Sequence, residues 1–236
     1  KNDPLLHSAR IMINNSILSS DEILSLYEQA RTRIHYVFEK ATTRPKLVES
    51  SDVMKSIVSN NSKNIAPNFA DAKIRAKIFG KEYKRLEQPS HMAKLINYAL
   101  KDLMLQYQNI LVFGEDVAQK GGVYNVTADL YKQFSIRRVF NSPLDETSIL
   151  GFAAGLAHNG FLPIPEIQFL AYFHNAEDQL RGEAATLSFF SQGQYLNPMV
   201  IRIAGLAYQR GFGGHFHNDN SLTIFRDIPG LILACP

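Results

Sequence analysis

The stretch that decides the fold is Asn109-Ile-Leu-Val-Phe-Gly-Glu-Asp116, a short apolar run that ends at a glycine and two acids. Apolar residues at helical spacing precede it at 92–103, so the unit is a helix, a buried strand and a turn. The pattern recurs, with strands expected at 138–140, 162–168, 198–203 and 231–235 and helices at 147–158 and 171–190. Such alternation is typical of a mostly parallel sheet with helices on both faces, and we predict this α/β fold.

Ligands of such sheets bind at the carboxyl ends of the strands. The residues that follow the predicted strands are therefore the candidates for chemistry, namely 114–116, 141–146, 168–172 and the glycine-rich run 205–218.

The N-terminal part is predicted to be a separate helical segment. Ser19 and Glu22 have capping-box spacing, and Arg44-Pro45 ends the helix. The helix has one apolar stripe, so we predict that it packs against other parts of the protein and carries no catalytic residue. The stripe consists of Ile23, Leu26, Tyr27, Ala30, Ile34, Val37 and Phe38. Ser- and Asn-rich sequence follows, as in linkers. We predict a helical tail at 1–48, a linker at 49–89 and a domain at 90–236.

The composition excludes several classes of protein. The net charge of +3 is small, and Glu82 interrupts the one basic stretch, so nucleic acid is not an expected partner. No apolar run reaches the roughly 20 residues that cross a bilayer. The lone Cys235 lies in an apolar run, which predicts a buried thiol and a reducing compartment, either a bacterial cytoplasm or an organelle matrix. Because Lys1 is not a methionine and Pro236 directly follows a strand-like run, we expect a piece of a longer polypeptide.

Three of the post-strand segments carry candidate site residues. Glu146 opens a helix of small residues, where scarce water would favour its neutral form although the helix N-terminus favours the charged form. Gln168 and Tyr172 lie among aromatic residues that form either core or a flat wall for a heteroaromatic ring. His215 and His217 follow three glycines, and proton transfer, a metal site and plain loop structure all remain open for them.

Many separated motifs occur in the order found in one known family. They include Gly114-Glu-Asp-Val117, Gly121-Gly-Val-Tyr124, Pro143-Leu-Asp-Glu146, Pro163-Ile-Pro-Glu-Ile-Gln-Phe169 and Asp178-Gln179. Over 90–236 the chain resembles the beta subunit of the E1 component of thiamine-diphosphate-dependent 2-oxo acid dehydrogenases. Its Ile-Gln-Phe…Tyr version is more similar to branched-chain enzymes, and to some bacterial relatives, than to mammalian pyruvate dehydrogenase. Residues 1–48 resemble the C-terminal tail of the E1 alpha subunit, which suggests a fused alpha–beta E1.

This resemblance implies a thiamine-diphosphate-binding pyrimidine-domain fold and assigns roles to residues. Glu146 would hydrogen-bond a ring nitrogen of the aminopyrimidine, Tyr172 would face that ring, and Gln168 would line the same pocket. His217 would assist proton transfer or reductive acylation. The implied reaction is decarboxylation of a 2-oxo acid, branched-chain or pyruvate, on thiamine diphosphate, with transfer of the acyl group to a lipoyl domain of the E2 acyltransferase.

The chain departs from the family pattern in two places. His217-Asn-Asp-Asn220 stands where the family has His-Ser-Gln-Ser, so His215 remains an alternative functional histidine. The Gly-Asp-Gly motif that holds the diphosphate and Mg²⁺ is absent from the sequence. The resemblance places that motif upstream, in an E1 alpha-like half or a second protomer. This chain alone would therefore form an incomplete active site and would supply no metal ligands. We also expect a homo-oligomer.

Two other hypotheses remain open. The first is ketol transfer by a transketolase-like or deoxyxylulose-phosphate-synthase-like enzyme, which would share the pyrimidine fold and the glutamate. The second is a non-catalytic assembly module of the same fold.

Overall fold

The computed structural model describes residues 3–55, 70–206 and 213–236. The chain divides into two compact units, Lys1–Ser50 and Ser51–Pro236. The Ser/Asn-rich centre of the predicted linker, and the first two residues of the Gly211–His217 motif, lie outside the described residues.

The first unit consists of helices α1 (Pro4–Asn14) and α2 (Ser20–Thr42). The predicted capping box is present: Ser19 accepts a hydrogen bond from the Glu22 N–H, and the Glu22 side chain accepts one from the Ser19 N–H. No residue of either helix is buried. Apart from the half-buried Ile23, the apolar stripe of α2 is exposed, as Tyr27 with 59% exposure illustrates.

In its described residues, the second unit is built on a four-stranded sheet. Its strands are β1 (Ile110–Gly114), β2 (Val139–Asn141), β3 (Leu162–Ile167) and β4 (Arg202–Ile203), in the order β2-β1-β3-β4. Every neighbouring pair is parallel, which confirms the predicted sheet.

In sequence, the chain forms further helices before, between and after these strands. The α-helices are α3 (Ser50–Met54), α4 (Ala72–Phe79), α5 (Met92–Gln106), α6 (Leu130–Phe134), α7 (Glu146–His158), α8 (Leu170–Phe173), α9 (Leu187–Phe190) and α10 (Thr223–Arg226). Short 3-10 turns occur at Gly80–Arg85, Val123–Asn125, His174–Ala176 and Gly214–His217, and a π turn occurs at Gln179–Ala184. None of the helices in the described part of the chain is long and apolar enough to span a membrane.

Helices cover both faces of the sheet because side chains alternate along β1. Ile110 and Val112 pack in one cluster with residues of α5 and α6, such as Met104. Leu111 and Phe113 pack in the other cluster with residues of α7 and α8. All five residues of β1 are buried, as expected for the central strand of a doubly covered sheet.

Residues 70–89 were expected to belong to the linker, and most of them are helical. Phe79 of α4 is buried against Tyr98 of α5, with ring centroids 5.5 Å apart. Arg75 donates two hydrogen bonds, at 2.6 and 2.7 Å, to the carboxylate of Asp102. This segment packs on α5 within the second unit, and the three-segment division of the chain stays a prediction.

Three predicted elements differ in the structure. The single helix at 171–190 is interrupted by the 3-10 and π turns, which keep Phe173, Ala176 and Leu180 buried against the sheet. The strand at 198–203 shrinks to the two residues of β4 that pair with β3. The strand at 231–235 is wrong: those residues form no ladder, and Cys235 is exposed rather than buried. An apolar run becomes a strand only where a neighbour is in register to pair with it.

Candidate functional site

The candidate site lies at the carboxyl ends of β1 and β3. The chain passes from β1 to β2 on one side and from β3 to β4 on the other, so β1 and β3 flank the switch point of the sheet. Ligands of open α/β sheets bind in the crevice at such a point. Glu115 follows β1, Gln168 follows β3, and α7 begins at Glu146 after β2.

Glu146 is a buried acid with few partners. It is the first residue of α7, and the residue is 6% exposed. Within the described residues it accepts one hydrogen bond, from Asn175 Nδ2 at a long 3.5 Å. A buried carboxyl group normally has closer partners, so Glu146 retains capacity for a further hydrogen bond.

Glu115 is a second buried acid at this edge, with 8% exposure. Burial raises its pKa above the ordinary value, and the negative charges of Glu146 and Asp116 raise it further. The sequence placed Glu115 among the post-strand residues without giving it a role. The signal that marks it is an acid directly after a fully buried strand.

Replacing Glu115 by glutamine is expected to stabilise the protein at high pH. Because the folded state raises the pKa of Glu115, the charged carboxylate destabilises the fold above that pKa, and this penalty disappears as the pH falls below the unfolded value of about 4.3. We expect Tm to rise by roughly 2 °C at pH 8 and to change little at pH 4, as measured by calorimetry. The exposed Glu87→Gln is the control, and an equal gain at both pH values would contradict the expectation.

Tyr172 and His217 are brought together although 45 residues separate them. Tyr172 Oη lies 3.3 Å from His217 Nε2, and the Phe169 ring packs edge-on against the imidazole with centroids 4.4 Å apart. His217 Nδ1 lies 2.7 Å from the carbonyl oxygen of Gly213, which can only accept, so Nδ1 carries a proton. In the neutral imidazole Nε2 is then the basic nitrogen, and it accepts from the Tyr172 hydroxyl.

Gly213 is required for this arrangement. Its φ of +72° is in the left-handed region, and a Cβ atom there would overlap the His217 ring. A glycine lets the backbone approach the imidazole closely enough for the Nδ1 hydrogen bond.

The remaining predicted residues have less defined surroundings. Gln168 is half-buried beside the buried Phe169. His215 is exposed, and its ring contacts Phe216. In the described residues, no group of three or more His, Cys, Asp or Glu side chains is arranged to hold a metal ion.

A buried ion pair beside the site was missed by sequence reasoning. Glu166 of β3 pairs with Arg202 of β4, with side-chain exposures of 2% and 16%. Glu166 Oε1 also accepts a hydrogen bond from the Val123 N–H at 3.2 Å. Burial lowers the pKa of Arg202 to about 10. The pair connects the edge strand to the turn that follows β1.

Gly122 makes the contact between that turn and Glu166 possible. Its φ is +67°, and a Cβ atom would lie 2.7 Å from Thr127 Oγ1 and 3.0 Å from Glu166 Oε1. Any side chain at this position would therefore push the turn away from Glu166.

Comparison with known proteins agrees with this architecture. Residues 88–236, more than half of the chain, match the family described as the transketolase pyrimidine binding domain. The beta subunit of the pyruvate dehydrogenase E1 component from Staphylococcus epidermidis is 41% identical over 150 residues. The same subunit from Staphylococcus aureus is 40% identical over 150 residues. Each match covers 61% of this chain and 44% of the relative, so the chain spans less than half the length of these curated relatives. The chain therefore belongs to the transketolase pyrimidine-binding domain family, and its domain is of the E1 beta type found in 2-oxo acid dehydrogenases.

Proposed function

We propose that this chain supplies the pyrimidine side of a thiamine diphosphate site in a 2-oxo acid dehydrogenase E1 component. The observation that carries the proposal is Glu146, a buried carboxyl group at the switch-point edge of the sheet with one long hydrogen bond from the described residues. A heteroaromatic ring with a basic nitrogen would give this carboxyl group a closer partner than the described residues supply.

The neighbouring side chains suit such a ring. The half-buried Tyr172 offers aromatic surface at this edge of the sheet, and the buried Phe169 packs against it edge to face, with ring centroids 5.9 Å apart. Gln168 follows the same strand and offers both a donor and an acceptor. These residues would orient the ring, whereas Glu146 in its protonated form would donate to the ring nitrogen.

His217 is the proposed proton carrier. Its Nδ1 proton is fixed by the Gly213 carbonyl group, so Nε2 accepts and releases protons without rotation of the ring. The Tyr172 hydroxyl lies 3.3 Å from Nε2, within hydrogen-bonding distance of the nitrogen that would carry the proton. His215 remains the alternative histidine.

Thiamine diphosphate, when bound, supplies the electron sink for loss of carbon dioxide from the 2-oxo acid. The diphosphate and Mg²⁺ would be held by an E1 alpha-like half or a second protomer. The acyl group would pass to a lipoyl domain of E2. Pyruvate is supported as the substrate by the names of the relatives, and a branched-chain 2-oxo acid by the Gln168…Tyr172 pattern.

Titration calorimetry tests the proposal most directly. Thiamine diphosphate with Mg²⁺ is expected to bind the chain together with its diphosphate-binding half, and to bind the chain alone at least 100-fold more weakly. Equal binding with and without that half would contradict the shared site. Acylation of a lipoyl domain by pyruvate and by a branched-chain 2-oxo acid, measured beside ketol transfer between sugar phosphates, separates the dehydrogenase from the transketolase-like alternative.

A further inference from the structure

The loop at 213–221, which we call the histidine loop, packs against Phe169 through the His217 ring, and two side-chain contacts within hydrogen-bonding distance join it to the segment after β3. The first is the 3.3 Å contact between Tyr172 and His217. The second is a hydrogen bond of 3.1 Å from His174 Nε2 to Asp219 Oδ2. The second contact is shorter and has a carboxylate acceptor, and hydrogen bonds to charged acceptors are the stronger ones. Asp219 is therefore the firmer attachment of the loop that carries His217.

Asp219 is itself held rigidly. Its Oδ1 accepts from the Ser221 N–H at 2.8 Å and from the Ser221 hydroxyl, so both carboxylate oxygens are in use. The side chain is 13% exposed. The bond from the Ser221 hydroxyl is the main cause that keeps the pKa of Asp219 below its ordinary value, so the group is charged at neutral pH. A fixed carboxylate two residues after His217 restricts where the imidazole can lie.

His174, the hydrogen-bond partner of Asp219, belongs to a turn that also contacts Glu146. His174 begins the 3-10 turn His174–Ala176. The next residue, Asn175, accepts through its carbonyl oxygen from Thr147 Oγ1 at 2.8 Å and donates to Glu146 at 3.5 Å. One turn of the chain thus contacts both the first turn of α7 and the histidine loop.

We propose that the His174–Asp219 pair is a positioning element that fixes His217 relative to Glu146. The inference rests on the proposed function, because it matters for catalysis only if both residues act on a bound cofactor or substrate. His174 and Asp219 are positioning residues: they act through the histidine loop. Loosening the pair is therefore expected to lower kcat and to leave KM for the 2-oxo acid nearly unchanged.

Hydrogen–deuterium exchange on the full chain tests the attachment without any activity. Asp219→Asn keeps an oxygen acceptor for Ser221 but removes the charge, and His174→Gln keeps a donor. Each is expected to speed exchange of the backbone amides of 214–222 by about two- to fivefold, the range for a partly exposed pair of this kind, with no change in α7. The matched control is the exposed His35–Glu39 pair of α2, with a 3.3 Å contact, disrupted by Glu39→Gln. Unchanged exchange in Asp219→Asn would overturn the proposal.

Kinetics of the reconstituted enzyme test the consequence. Asp219→Asn and His174→Gln are each expected to lower kcat two- to tenfold with KM within twofold, and the double variant to be no slower than the slower single variant. Independent losses that multiply in the double variant, or a rise in KM alone, would overturn the positioning role. If the unaltered enzyme has no dehydrogenase activity, the proposed function fails, while the exchange measurement still decides whether the pair fixes the loop.

Discussion

Glu146→Gln is expected to lower kcat for 2-oxo acid decarboxylation by about 10²- to 10⁴-fold, the range that positioned proton transfer contributes. Glutamine keeps the shape of the side chain and can still donate a hydrogen bond through its amide group, but it cannot release a proton. Affinity for thiamine diphosphate, measured by calorimetry on the reconstituted enzyme, is therefore expected to fall by less than tenfold. Glu146→Ala, which removes the donor as well, is expected to lose both kcat and affinity.

Two controls make this experiment decisive. Glu87→Gln alters an exposed acid that precedes α5 and is expected to leave kcat within twofold. Circular dichroism melting of each variant shows whether the fold is kept, since α7 begins at Glu146 and loses a first-turn acid. If the reconstituted enzyme keeps its full activity with a folded Glu146→Ala variant of this chain, that result would favour a non-catalytic assembly role for the chain over a catalytic one.

The central part of the fold could be predicted because its signals are local. The apolar run before Gly114 indicates a buried element, and its short length and the turn that follows it predict a strand rather than a helix. The Ser19 capping box is equally local, since both partners lie within one helical turn. The edge of the sheet could not be predicted in this way. Whether residues after Gly230 pair depends on a neighbouring strand, and β4 offers only two residues.

In the candidate site, too, the local features could be predicted from the sequence and the long-range contacts could not. The types of residue at the carboxyl edge, such as Glu146 and Tyr172, follow from where the strands end. Their pairing does not, because the contact of Tyr172 with His217 spans 45 residues and depends on how the histidine loop folds back. The resemblance to E1 beta subunits supplied roles for residues but gave none to Asp219, where the sequence departs from the family. Its contact with His174 became visible only in three dimensions.

Arg202→Met is expected to destabilise the protein by about 3–5 kcal/mol, the usual cost of leaving a buried charge without its partner. Glu166 would remain almost fully buried, with the Val123 N–H as its one partner in the described residues besides the lost arginine. Urea denaturation at pH 7 measures the loss as a lower midpoint with an unchanged slope. The control is Lys132→Met, which breaks an exposed pair with Asp129 and is expected to cost about 0.5 kcal/mol or less.

The pH dependence identifies the unpaired carboxylate as the cause. Without Arg202, the buried Glu166 side chain is costlier to bury charged than neutral, so the loss is largest at neutral and higher pH and shrinks as the pH falls towards 4. Adding Glu166→Gln to Arg202→Met is expected to recover at least half of the loss at pH 7, because glutamine is neutral and its Oε1 still accepts from Val123. A double variant as unstable as Arg202→Met at every pH would show that lost packing of the arginine side chain, rather than the unpaired charge, sets the cost.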